Sequence, residues 1–266
     1  MASDLHRVRV YGTAWPGVFL TDIESSRHFA RHSHDGFGFG FLTHGAQRWA
    51  SDRGDVRGFP GQISSTNPGE VHDGSPIEGP ARRWWIIHVD ADAMHDLLGA
   101  RESMIAHPVI DDPVVLRKLA LTVRRIAEGA RAMAVEEALV DSCVSLMTNH
   151  GSARRREPPA AANIARAHER LADFAQPSPT LAELATLVGL SRYQLLRRFQ
   201  SAYGLTPHAW LMQLRVERAR SLIRAKCPLS VAALRAGFVD QSHMNRAFVR
   251  HLGFTPGQYR NAVCAA

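Results

Sequence analysis

A chain of 266 residues with 45% hydrophobic content is long enough for one or two domains with real cores. No run approaches the roughly 20 apolar residues that span a bilayer, the polar stretch around Arg7 and Arg9 is not a signal peptide, and the three scattered cysteines Cys143, Cys227 and Cys264 argue for a reducing, cytoplasmic setting rather than a disulfide framework. The net charge of +7 is unevenly spread: residues 1–150 hold 15 Lys+Arg against 19 Asp+Glu, while residues 151–266 hold 17 against 6, the footprint of a nucleic-acid-binding module joined to something else.

From Val18 to Val89 the pattern is strand-like. Phe37-Gly-Phe-Gly-Phe41 alternates strictly, so its Phe rings share one face and its glycines the other. Glycine weakens a strand interior unless something must approach closely. Further strands are expected at Gln47–Ala50, Ile63–Ser65 and Trp84–Val89, with Gly, Pro, Asn and Asp clusters between them. Many short strands with frequent turns predict a sandwich or barrel.

His32-Ser33-His34 followed by Gly45 resembles the first motif of a cupin barrel, and Gly61, Pro68, Gly69 and His72 resemble the second. The acidic residue usual after the paired histidines is missing. His32 and His34 sit two apart and would point the same way on a strand. With His72 they offer three nitrogens for a divalent metal; hydrogen-bonding pocket histidines without metal are the expectation, so no metal or cofactor is assigned. The candidate effector-binding residues are His32, His34, Phe39, Trp49, His72 and Trp85. The tryptophans read either as barrel-wall aromatics or as a stacking surface for a ligand. His44 reads as a strand-end residue.

Asp111-Asp112-Pro113 is a helix start, with carboxylates at the positive end of the dipole. Val114–Glu128 and Val135–Asn149 then carry apolar residues at helical spacing. These two helices either pack on the barrel or form a homodimer contact. Gly151–Ala162 has the Gly, Ser and Pro-Pro composition of a linker, with a run Arg154-Arg155-Arg156. The expected boundaries are therefore 1–150, a linker at 151–162, and 163–266.

In the basic half, Asn163–Phe174 is helical. Thr180 caps Leu181–Val188, with Glu183 completing a capping box, and Ser191 caps Arg192–Tyr203 after a turn at Gly189-Leu190. The outer face of that helix offers Arg192, Tyr193, Leu196, Arg197 and Gln200. Pro207 opens a long helix to about Lys226. A second turn follows at Gly237-Phe238, and Asp240 is placed to cap a helix with Met244, Phe248 and Leu252 inside. Its outer face carries Ser242, His243, Asn245, Arg246 and Arg250. Gly204-Leu-Thr-Pro207 and Gly253-Phe-Thr-Pro256 echo one another, so the two helix-turn-helix units read as an internal repeat. Those ten outer-face residues are the candidate DNA-binding set.

The spelling Ala236-Gly237-Phe238, Asp240, Ser242, Arg246, Phe248, Gly253, Thr255-Pro256 and Tyr259-Arg260 resembles the second helix-turn-helix of the AraC/XylS family of bacterial transcription regulators. The resemblance implies an α+β chain of two domains. The first is a cupin-like β-barrel with two following helices; the second is all-α, with two helix-turn-helix units joined by a long helix. It also implies a sequence-specific regulator, an activator rather than a repressor, controlled by a small organic effector in the barrel. Its expected partners are double-stranded DNA, RNA polymerase and a second copy of itself, with no membrane. No catalytic residues are assigned and no enzyme activity is expected. The rival reading is a metal-dependent cupin enzyme or metal sensor fused to the same DNA-binding module.

Overall fold

The computed structural model describes residues 5–51, 54–77, 79, 81–98, 103–153, 162–175 and 177–264. By packing, the chain forms two units. The first is Met1–Arg154 together with Gly253–Ala266, and the second is Arg155–Leu252.

The first unit is built from short antiparallel strands. They are β1 (His6–Gly12), β2 (Val18–Ser25), β3 (Phe29–His32), β4 (Gly36–His44), β5 (Gln47–Ser51), β6 (Gly54–Gly58), β7 (Ile63–Thr66), β8 (His72–Pro76) and β9 (Arg82–Asp90). Helix α1 (Ala91–Leu98), strands β10 (Ser103–Ile105) and β11 (Val109–Ile110), and helices α2 (Pro113–Ala127) and α3 (Ala132–His150) follow. The main sheet has the order β1-β2-β9-β4-β7-β11, and the smaller one the order β3-β8-β5-β6.

Alternation along β2, β4 and β9 gives the main sheet two different faces. Leu20, Phe37, Phe39, Ile87 and Val89 pack in one cluster with Val115, Leu119, Leu139 and Leu146 of α2 and α3. The opposite face carries Ile23, Leu42 and Trp84 in a second cluster, with Val8, Phe29 and Ile86 against it. The two helices after the barrel thus cover the Phe face of the Phe-Gly run. The glycines allow strand to lie tightly on strand: a Cβ on Gly40 would stand 1.8 Å from the Trp85 carbonyl oxygen. Asp112 caps α2, accepting from the Val114 and Val115 amides at 2.9 and 3.0 Å.

Gly151–Ala153, expected at the start of a linker, instead forms β12 and pairs with β10. The Arg154-Arg155-Arg156 run lies outside the described residues.

In the second unit, α4 (Ala162–Ala172), α5 (Leu181–Leu187) and α6 (Arg192–Tyr203) precede a long helix, α7 (Pro207–Arg224). Then come α8 (Leu229–Arg235) and α9 (Gln241–Leu252). Ile164, Ala167, Leu171, Leu184, Leu195, Phe199 and Leu211 form the core of the first helix-turn-helix. In the second, α7, α8 and α9 pack together over buried Ala232, Ala233, Ala236, Phe238, Met244 and Phe248. Local chemistry fixes the ends. Thr180 with Glu183, and Ser191 with Gln194, make reciprocal capping boxes. The Asp240 carboxylate accepts from the His243 amide at 2.6 Å. Gly204 ends α6 at φ 69°, a left-handed conformation with little cost for glycine.

The last helix, α10 (Pro256–Cys264), packs against β1. Gln258 Nε2 donates to the Val8 carbonyl at 3.2 Å, and the His6 imidazole meets the Gly253 carbonyl at 2.6 Å. Phe19 places its ring edge-on to Tyr259 and Phe254, with centroids 5.4 and 6.1 Å apart.

Candidate nucleic-acid interface and effector site

On α6 the apolar positions Leu195 and Phe199 turn inward, which leaves Arg192, Tyr193, Arg197 and Gln200 exposed and Leu196 half-buried. Tyr193 is 68% exposed, well beyond what a buried aromatic shows, and so stands clear of the core. On α9, Met244, Phe248 and Leu252 turn inward; Ser242, Arg246 and Arg250 are exposed, and His243 and Asn245 are half-buried. His243 leans edge-on against Phe238, with ring centroids 5.2 Å apart. Each helix therefore offers one row of donors on the side away from its core. The 18 residues of α7 between the two helix-turn-helix units make a rod of roughly 27 Å.

In the first unit, the structure gathers His32, His34 and His72. The His32 and His34 ring centroids lie 4.8 Å apart, those of His32 and His72 4.5 Å, and those of His34 and His72 5.3 Å. His32 and His72 are register partners on β3 and β8. Burial drives the His32 imidazole down to about 3, and the neighbouring His72 adds to the effect, so His32 is neutral. The candidate aromatics divide. Trp49 is buried on β5 against Gly58. Phe39 and Trp85 belong to the opposite face of the main sheet, in the cluster shared with α2 and α3. They do not join the histidines, because the alternation of β4 and β9 turns them toward the helices.

Two further buried or ring-packed residues of β9 were not picked out from the sequence. His88 stacks on Phe19 with centroids 4.4 Å apart, meets the Thr21 hydroxyl at 3.0 Å, and lies 6.2 Å from the His34 ring. The signal for it was present: in a strand from Trp84 to Val89, position 88 falls on the same face as Trp84 and Ile86. Arg82 is the other. It is fully buried, donates to Gln47 Oε1 at 2.6 Å and to the carbonyls of Arg27 and Ser25 at 3.0 and 3.3 Å, and lies over the Trp84 ring at 4.6 Å. Burial pulls its guanidinium down to about 10.

Residues 18–142 match the AraC-like ligand binding domain, and residues 184–262 match a helix-turn-helix domain. The chain belongs to the AraC family of transcription regulators. Among its relatives, the uncharacterized HTH-type transcriptional regulator YbfI of Bacillus subtilis is 27% identical over 223 residues, covering 81% of each chain. The HTH-type transcriptional regulator MtrA of Neisseria gonorrhoeae is 35% identical over 94 residues, or 35% of this chain and 31% of that protein. The crystal structure of unsaturated fatty acid bound ToxT from Vibrio cholerae aligns with a TM-score of 0.52 at 10% identity, covering 100% of this chain and 99% of that one, a likeness of fold. This regulator therefore couples an N-terminal ligand-binding domain to a DNA-binding double helix-turn-helix, as its sequence led us to expect. Among the described residues, no helix is long and apolar enough to cross a membrane.

Proposed function

We propose that this AraC-family regulator reads two successive major grooves with α6 and α9, as a cytoplasmic activator without catalytic chemistry that engages RNA polymerase. The observation that carries the reading is the paired outward rows on α6 and α9, set on one 18-residue helix within the basic half of the chain. Tyr193 and Arg197 read bases in the first helix-turn-helix, and Ser242, His243 and Arg246 in the second. Arg192, Leu196, Gln200, Asn245 and Arg250 lie against the backbone. The effector binds at the His32, His34 and His72 cluster, and its occupancy shifts the chain between two DNA-affinity states.

The homodimer forms through α3. Met133 and Val144 are 72% and 41% exposed there, and with Val140 they make an apolar stripe flanked by Glu136, Glu137 and Asp141. Footprinting of the full-length protein on the DNA upstream of its own gene tests the reading. Two protected major grooves per chain on one face of the duplex are expected. Protection of a single groove would overturn the two-headed arrangement. Val144→Asp should convert dimer to monomer in light scattering.

A further inference from the structure

We propose that His32, His34 and His72 form a binding site for a divalent transition-metal ion, and that this ion is an effector of the regulator. The inference rests on the effector reading above and names the chemistry of the ligand. Each of the three residues offers one ligand nitrogen, and these atoms all lie within 4.8 Å of one another. An ion held by imidazoles at about 2.0–2.1 Å needs nitrogens somewhat closer than this, so binding would draw the three rings together.

Proximity alone would not single out a metal, but the outer contacts do. His32 Nδ1 lies 2.7 Å from the Ala30 carbonyl, and His72 Nδ1 lies 2.9 Å from the Glu70 carbonyl. A carbonyl only accepts, so each Nδ1 carries a proton, and in the neutral ring that leaves the lone pair on Nε2. Both rings are tethered to the carbonyl two residues upstream, and the two residues face each other across the β3–β8 ladder. The same ligand posture is therefore built twice, on paired strands. A main-chain carbonyl behind a ligating histidine fixes its tautomer and raises its basicity. His34, two residues beyond His32, adds the third nitrogen.

The donor set selects the ion. Three imidazoles with no carboxylate among them favour zinc, copper, nickel or cobalt over magnesium or calcium. Three protein ligands also leave a coordination position for water or a small anion. A set of rings leads away from the site: His34 to His88, His88 stacked on Phe19, and Phe19 against Phe254 and Tyr259. Those last two residues lie within the stretch that matches the helix-turn-helix domain. These rings form a contiguous chain of contacts between the histidines and that segment.

The test uses the full chain, stripped of metal with a chelator and titrated with Co²⁺. The visible ligand-field bands of a low-coordinate cobalt site should saturate at one ion per chain and be quenched by Zn²⁺. His72→Gln and His32→Gln should each weaken Co²⁺ affinity at least tenfold, while His44→Gln, at an exposed strand end, should leave it unchanged. Circular dichroism of the metal-free variants controls for folding. Gel retardation at low ionic strength, with and without Zn²⁺, should show a change in DNA affinity of about fivefold or more, absent in His72→Gln. An identical Co²⁺ titration in wild type and a folded His32→Gln/His72→Gln double variant would overturn the site. Saturable binding with no change in DNA affinity would overturn the effector role. Failure to retard DNA with or without metal would instead sink the regulator reading, since the cobalt spectrum reports on the site by itself.

Discussion

The two units treat polar side chains in opposite ways. Within the described residues, the first unit buries Thr21, Asp22, Ser25, His32, Ser33, Ser65, Asn67, Glu70 and Arg82 in and around its sheets, and Thr122 and Ser142 between its helices. The second buries only Gln213 and Arg220, the latter against Glu217 at 2.6 Å. Buried polar groups are costly unless partnered, so a unit that keeps many of them spends stability on an interior with chemistry. The helical unit holds an apolar core and turns its donors outward, as a surface meant for phosphates and base edges requires. A polar residue therefore means something different on each side of the chain: interior integrity in one, contact with a partner in the other.

The sharpest way to break this contrast is to remove one arginine from each unit. Arg82→Ala deletes three hydrogen bonds and a ring contact from the interior, and should cost about 2–3 kcal/mol in denaturant unfolding. Arg246→Ala removes an exposed side chain and should move stability by less than about 0.5 kcal/mol. Its effect should appear on DNA instead, as about 1–3 kcal/mol of lost discrimination at one base pair. A uniform loss across sequences with a shallower salt dependence would make Arg246 a phosphate contact. Arg197→Ala is the matching experiment on α6.

Smaller effects sharpen the picture of the helical unit. Asp240→Ala removes the acceptor for the His243 amide and should lower stability by about 1 kcal/mol in chemical denaturation. His168 packs against Tyr203 and Trp210, with centroids 4.5 and 4.8 Å away, and burial holds its imidazole below the usual 6.5. As pH falls through that usual value the unfolded chain takes up the proton first. The stability that His168 contributes is thus present above about pH 6.5 and declines below it. Melting curves of wild type and His168→Gln should converge as the solution is acidified. Finally, burial raises the Cys143 thiol to about 12, so in the native protein a thiol reagent at mild alkaline pH should modify half-buried Cys227 and Cys264 and spare Cys143.

Much of the helical unit was legible because its signals are local. Thr180 with Glu183, Ser191 and Asp240 announce helix starts within three residues, and Leu195, Phe199, Met244 and Phe248 repeat at helical spacing. The barrel was less legible because period two reveals that a strand has two faces but not what covers each. Phe39 and Trp85 read as effector contacts from sequence; packing by α2 and α3 claims their face instead. Strand β1 is hard to read although Arg7 and Arg9 alternate with His6, Val8 and Val10, because a short polar stretch reads equally as loop. The histidine cluster was readable as far as its members, since two-residue spacing puts His32 and His34 on one side. The pairing of His32 with His72 is set by the β3–β8 register, which is tertiary. The packing of α10 on β1 depends wholly on long-range contact and left no mark in the sequence pattern.

That packing bears on how the molecule can be taken apart. Phe254 and Tyr259 are both almost wholly covered, and Phe19 supplies part of the cover. Severing the polypeptide between its halves would leave a raw aromatic scar on either product: Phe19 beside an emptied strip on one, Phe254 and Tyr259 stripped of a neighbour on the other. Such halves should stick to themselves and to each other, and mixing them should restore the missing cover.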